Sequence, residues 1–375
     1  MHIDTKCVHA GGFPDVQNKG INTPIFTSSA YEYLDTEVRL YQRYFNTPNQ
    51  DAVAHKICQL EGAEEGIVFS SGMAAISTVL LAVLKAGDHA VVQDEVYGGS
   101  HAFIEEHFRR IGISFTFVRT DARAIEDAIT GDTRIIFIES PTNPLLSVVD
   151  LREVASVAKR RGVLTVIDNT FATPVNQNPF RLGIDVVIHS GTKYLGGHSD
   201  LYCGVVLTTK DLAGPIRKMA SHLGGSLNAL SCYLLERSLK TLSIRVARQT
   251  ENALGISRFL KNHPRVARVN YPGLESHPGH ALARNQMNGY GAMLSFEVKD
   301  LTAMAFMRRL RLIKAALSLG GVETTICDPG TTSHQKVSSE VRDRLGISDN
   351  LLRLSVGIED QDDLIEDIRR ALESK

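Results

Sequence analysis

Lys193 lies in Ser190-Gly191-Thr192-Lys193, just after Ile184 to Ile188, a short run that is almost wholly apolar and rich in β-branched residues. Such a run reads as a strand covered on both faces of a parallel sheet, which puts the lysine beyond the strand's carboxyl end. Ligands of open α/β sheets gather in the crevice outside those ends. A lysine partly removed from water there has a lowered pKa and can attack a carbonyl. Two further runs end in polar groups with different chemical uses: Ile135 to Ile138 leads into Glu139-Ser140-Pro141-Thr142-Asn143, and Leu164 to Ile167 into Asp168-Asn169-Thr170. All three would open onto one crevice. A fourth stretch, Phe69-Ser70-Ser71-Gly72-Met73, turns from strand into helix through small residues. It would offer free backbone N–H groups and the positive end of a helix dipole to an anion.

An amine, a carboxylate and an anion cradle together suit a cofactor with an aldehyde, a protonatable ring nitrogen and a phosphate, which is pyridoxal 5′-phosphate. Lys193 would condense with the aldehyde, and Asp168 would keep the ring nitrogen protonated. Ser71, Gly72, Ser190 and Thr192 would bind the phosphate, and Met73, beside Gly72, and Thr170, beside Asp168, are further cofactor-binding candidates. Glu139 reads as a hydrogen-bond partner within the site rather than a base. His189 and His198 flank the lysine and read as structural, their ring nitrogens satisfied by nearby backbone. His277-Pro278-Gly279-His280 has no accompanying carboxylate or thiol cluster, so no metal site is expected.

The elements that must position these groups alternate regularly. Helical spacing of Val53, Ile57 and Leu60 stops at Gly62. There follow a strand over 67–69, helix 73–85, strand 90–93, helix 102–110, strand 114–118, helix 124–129, strand 134–138, helix 151–160 and strands 164–167, 186–188 and 204–207. This βα series predicts a mostly parallel sheet with helices on both faces, the large domain, over 51–245. Residues 1–50 have no helical period and read as an extended arm reaching a partner subunit. A helical region over 229–260 leads to a small α+β domain over 246–375. Its elements are a strand over 292–298, helix 302–310, a Gly/Thr/Ser-rich loop over 320–333, strand 352–356 and an amphipathic helix over 361–372.

The chain has 375 residues, 43% of them hydrophobic, enough for two cores. A net charge of −1 provides no basic footprint for nucleic acid and no polybasic anchor for a membrane. Five scattered cysteines without a CxxC spacing argue against a disulfide framework or zinc knuckle and fit a reducing cytoplasm. No apolar run approaches the roughly 20 residues that span a bilayer.

Ser190-Gly191-Thr192-Lys193-Tyr194-Leu195-Gly196-Gly197-His198-Ser199-Asp200 resembles the lysine signature of the pyridoxal-phosphate enzymes of Cys/Met metabolism, the cystathionine γ-lyase, cystathionine γ-synthase and methionine γ-lyase group. The resemblance runs almost end to end. It takes in Tyr41, Arg43 and Asn46, the Phe69–Met73 turn, Tyr97-Gly98-Gly99, Glu139–Pro144, Val166–Pro174, Ser318–Gly321 and Leu352–Asp360. It implies an aspartate-aminotransferase-like fold and a homotetramer built from catalytic dimers. In it, Tyr41 and Arg43 would cross to the neighbour's cofactor phosphate. It also implies that Tyr97 stacks on the cofactor ring and moves protons, and that Arg353 grips the substrate carboxylate with Asn143 and Ser318 nearby.

The expected activity is elimination across a C–S bond at the γ carbon of cystathionine, methionine or homocysteine, releasing a 2-oxo acid, ammonia and a thiol. γ-Replacement, as in a cystathionine γ-synthase or homoserine-ester sulfhydrylase, and β-elimination are the alternatives. Gly99 stands where methionine γ-lyases usually carry a cysteine. Leu317, a substrate-binding candidate, stands where many cystathionine-using members carry a glutamate. Asn46-Thr47-Pro48-Asn49 replaces Asn-Pro-Thr, and Ala102 an arginine.

Overall fold

The computed structural model describes residues 1–335 and 339–374. A seven-stranded sheet is formed by β1 (Glu65–Phe69), β2 (His89–Gln93), β3 (Ser114–Val118), β4 (Thr133–Glu139), β5 (Leu164–Asp168), β6 (Val186–His189) and β7 (Gly204–Thr208). The strand order is β1-β7-β6-β5-β4-β2-β3. β7 runs antiparallel to both neighbours, while the pairs from β6 through β3 are parallel. The carboxyl ends of β1, β4, β5 and β6 therefore share one edge with the start of β7. This is where Phe69 faces Gly204 and Glu139 faces Asp168 in register.

Alternation along the strands divides the apolar side chains between two faces. Ile67, Phe69, Val92, Phe137, Val166, Ile188 and Val206 pack into one cluster. Val68, Val91, Ile136, Ile167, Val187 and Val205 pack into another, which continues without a break into the second sheet through Leu294, Phe296 and Leu352. With both faces covered, β4, β5 and β6 are nearly all apolar up to their final residue. Their polar ends are thus the first places where the chain meets the crevice.

The second sheet comprises β8 (Val266–Asn270), β9 (Met293–Val298), β10 (Lys314–Ala315), β11 (Thr325–Cys327) and β12 (Leu351–Ser355), in the order β10-β11-β12-β9-β8. All its pairs are antiparallel except β10–β11. The fold is α/β, a mostly parallel sheet accompanied by a smaller one, as expected.

Several local expectations need correction. The first fifty residues are not wholly extended, because Ile3–His9 is a helix. Its Cys7 is fully buried, and the Lys56 ammonium donates to the carbonyls of Cys7 and Val8 at the helix's carboxyl end, where a cation is favoured. The region 229–260 is two helices, Ala229–Leu239 and Leu242–Asn262, separated at Lys240 and Thr241. The loop over 320–333 contains β11, whose three residues pair with β12, Cys327 opposite Arg353. Helix Lys210–Leu223, although amphipathic, and strand β8 are further elements that the sequence reading did not include.

Candidate active site

Helix Gly72–Val83 begins where the sequence places the anion cradle. Ser71 is its N-cap, with Oγ accepting the amide of Ala74 at 3.1 Å, a bond typically worth about 0.5–2 kcal/mol. Gly72 and Met73, ahead of that bond, line the crevice. Gly72 is required by packing, since a Cβ there would lie 2.8 Å from Ser190 Cβ. The helix start and the Ser190 turn therefore approach more closely than any larger residue allows.

A cavity of about 350 Å³ opens at this edge. It is lined by Ser71, Gly72, Met73, Tyr97, Asn143, Asp168, Thr170, Ser190, Thr192, Lys193, Leu317, Ser318 and Arg353, together with Glu139. The structure thus gathers in one place every candidate except Tyr41 and Arg43. Those two lie outside it: Tyr41 is 42% exposed, and Arg43 Nη1 donates to the carbonyl of Ser221 at 2.7 Å. The Arg43 guanidinium stacks on the rings of Tyr41 and Tyr44.

Lys193 Nζ donates to Ser318 Oγ at 2.8 Å. Burial, and next the charge of Arg353, bring its pKa down to about 8 against the pull of Asp168 and Cys327. The amine is therefore still mostly protonated near pH 7, but its neutral fraction is far larger than an ordinary lysine's. Asp168 accepts the amide of Thr170 at 3.0 Å and also its hydroxyl. Burial raises its pKa, opposed by the two Thr170 bonds and then by His189 and Lys193. Thr170 Oγ1 in turn accepts the amide of Ser190 at 2.8 Å, so this threonine spaces Asp168 from the lysine turn. Thr192 Oγ1 accepts the amide of Cys203 at 3.0 Å and donates to its carbonyl at 3.2 Å, tying the same turn to the start of β7.

Glu139 ends β4 and is 4% exposed. Its pKa is raised well above the ordinary range by burial and by neighbouring Asp168, while its carboxylate accepts the amide of Tyr97 at 2.9 Å. It touches backbone, in keeping with the role of partner rather than base. Arg353, 4% exposed, donates through Nη1 to Asn143 Oδ1 at 2.9 Å and through Nη2 to the Ser318 carbonyl at 3.2 Å. Its buried Nε has no partner among the described residues. A guanidinium held in this way presents a planar donor edge suited to a carboxylate.

His189 is buried behind the site, with Nε2 2.8 Å from Glu61 Oε1. Asn169 and Asn178 donate to the same carboxylate. The histidine's partner is therefore a side chain, not the backbone expected from sequence. His198 Nδ1 lies 2.8 Å from the carbonyl of Gly196, as a structural reading requires. His280 Nδ1 meets the Pro272 carbonyl at 2.8 Å, and His277 Nδ1 accepts the amide of Gly279.

Sequence reasoning missed Ile76, Phe171, Tyr202, Leu319, Thr332 and Ser333 in the cavity wall. Thr332 and Ser333 belong to a polar loop that was visible as a loop but not as part of the site. Tyr202, 77% exposed, gave no signal.

The cavity suits a ring cofactor carrying a phosphate and an aldehyde. It offers free amides at a helix start, a buried acid at a strand end and a low-pKa amine. Comparison with known proteins agrees. Residues 4–373 match the family described as Cys/Met metabolism PLP-dependent enzyme, and the chain belongs to it. It is therefore an enzyme whose cofactor is pyridoxal phosphate. It is 43% identical to the cystathionine gamma-lyase of Bacillus subtilis (strain 168), covering 100% of both chains. It is 42% identical to the cystathionine beta-lyase of Coxiella burnetii, covering 99% of this chain and 98% of the relative. A crystal structure of cystathionine gamma-lyase from Lactobacillus plantarum, complexed with L-serine, superposes with a TM-score of 0.97 at 38% identity. That match covers 100% of this chain and 99% of the other. Among the described residues no helix is long and apolar enough to cross a membrane.

Proposed function

We propose that the chain is a carbon–sulfur lyase that removes a thiol from the γ carbon of a sulfur amino acid, cystathionine first, leaving a 2-oxo acid and ammonia. The observation that carries this reading is the placement of a low-pKa lysine amine, a buried carboxylate and a buried guanidinium around one cavity. The names of the relatives support the C–S bond as the one broken. Bound pyridoxal phosphate supplies an electrophilic carbon for amines and an electron sink for charge developing at the substrate's Cα.

The chain's own residues supply the rest. Arg353, braced by Asn143, binds the substrate carboxylate and fixes which bond at Cα faces Lys193. Lys193, whose lowered pKa leaves about a tenth of the amine neutral at pH 7, would take the Cα proton onto Nζ in that form. Asp168, held by Thr170, would keep a proton on the ring nitrogen of the bound cofactor. The Tyr97 phenol, in the cavity wall, would cover the cofactor ring and would donate a proton to the departing sulfur. The Ser71–Met73 amides and the Ser190 hydroxyl would hold the phosphate, joined by the Thr192 hydroxyl once it turns from the Cys203 carbonyl. Tyr41 and Arg43, outside their own cavity, act in a neighbour's site within a homotetramer of catalytic dimers in the cytoplasm.

A second reading rests on Leu317, which is 71% exposed at the mouth. It offers no charge to a distal ammonium, which favours an apolar tail such as that of methionine or homocysteine. The deciding experiment is the identity of the 2-oxo acid released from L-cystathionine by the cofactor-loaded protein. 2-Oxobutyrate supports γ-elimination; pyruvate makes it a β-lyase. No 2-oxo acid transfers the assignment to methionine cleavage or γ-replacement.

A further inference from the structure

The groups that would handle substrate stand on two turns, Val96-Tyr97-Gly98 after β2 and Thr142-Asn143 after β4. From one side Glu139 accepts the backbone amide of Tyr97 at 2.9 Å, and the Asn143 backbone amide lies near enough to favour its ionised form. On the other side lies His334, which is 1% exposed and is not used by the chemistry proposed above. Its Nδ1 meets Ser333 Oγ at 2.9 Å, and the backbone of Val96 and Asn143 lies near enough to the ring to favour a proton on it. Its neighbours Thr332 and Ser333 line the cavity, while His334 itself is packed behind them. The seat of this contact is Gly98, where a Cβ would lie 2.2 Å from the Ser333 carbonyl oxygen and 3.4 Å from His334 Cα.

We infer that His334 is a positioning residue that locks the 328–335 loop of the smaller sheet onto the Tyr97 and Asn143 turns, fixing the phenol and the Asn143–Arg353 pair relative to bound substrate. A carbonyl only accepts, so the ring presents an N–H to the two turns and can receive a hydroxyl at its other nitrogen, a combination the neutral imidazole provides. Burial first, and then the charges of Arg353 and His101, hold its pKa down to about 4, so the ring keeps that form at neutral pH. The effect on catalysis follows from geometry. The Arg353 fork is already engaged by Asn143, so a loosened Asn143 turn releases the carboxylate grip, and a loosened Val96 carries Tyr97 with it.

The inference rests on the proposed lyase reading for its kinetic test, and a binding test separates the two. His334→Leu removes the ring's hydrogen bonds, His334→Gln restores a donor and an acceptor, and Gly98→Ala pushes the loop away while leaving the histidine intact. In the cofactor-loaded enzyme, His334→Leu and Gly98→Ala are expected to lower kcat/KM by about a hundredfold with a raised KM, the size of effect that misplaced positioning produces. They also weaken the cofactor-band response to L-alanine, while borohydride still fixes cofactor to Lys193 as in the wild type. His334→Gln recovers most of the loss.

Equal losses in the Leu and Gln variants, or wild-type kinetics in Gly98→Ala, overturn the inference. If His334→Leu does not fold, Gly98→Ala decides alone. A wild-type protein that cleaves no C–S bond removes the lyase reading, and the L-alanine titration then tests His334 by itself.

Discussion

The lysine amine offers the sharpest quantitative test, and it can be made on the cofactor-free protein. With its pKa brought from 10.5 to about 8, the neutral fraction of Lys193 at pH 7 exceeds that of an ordinary lysine by about three-hundredfold. A short pulse of acetic anhydride at a series of pH values, read peptide by peptide by mass spectrometry, should therefore give Lys193 a labelling midpoint near 8, while exposed lysines titrate above 10. Arg353 is the second cause of the shift, after burial. Arg353→Met should move the midpoint upward without restoring it fully. The sign also reaches stability: the folded pKa lies below the unfolded one, so the unfolded chain binds more protons between the two values. This lysine's penalty on the apoprotein is fully present below pH 8 and is relieved as pH rises toward 10.5. A Lys193 midpoint coincident with the surface lysines would refute the reasoning about burial. An unchanged midpoint in Arg353→Met would refute the part assigned to the guanidinium.

Gly72→Ala places a methyl 2.8 Å from Ser190 Cβ, so a stability loss of about 1–3 kcal/mol and faster cofactor loss on dialysis are expected, measured by thermal unfolding and absorbance. Arg353→Lys keeps the charge but loses the planar fork. A loss of about 1.5–3 kcal/mol in carboxylate binding should appear as a rise in KM of roughly tenfold to more than a hundredfold, with cofactor content unchanged. Leu317→Glu should favour cystathionine over methionine. The position is 71% exposed, so the gain is that of a surface ion pair, about 0.2–1 kcal/mol or less than about fivefold in relative kcat/KM. Glu61→Ala strands buried His189 together with the Asn169 and Asn178 amides, so a loss of about 3–5 kcal/mol in denaturant titrations is expected.

Much of the site was legible because strand ends are local events. β4, β5 and β6 are nearly all apolar until their last residue, so Glu139, Asp168 and the Ser190–Lys193 turn announced themselves through the end of a hydrophobic run. The short β11 was hidden because three residues carry no readable period, and the helix Ile3–His9 because its only fully buried side chain is Cys7. The partner of His189 was unreadable for a different reason: Glu61 lies at the end of another helix, 128 positions away.

The sequence by itself determined the chemistry available and the edge at which it would appear, because residue type, period and turn-forming small residues act over a few neighbouring positions. Only the tertiary structure decided how those groups meet. Lys193 reaches Ser318 across 125 positions, and Arg353 reaches Asn143 across 210. No local pattern encodes such contacts, which exist only once two sheets have packed. The pKa of Lys193 belongs to the same category, since the burial and the neighbouring guanidinium that lower it are both products of that packing.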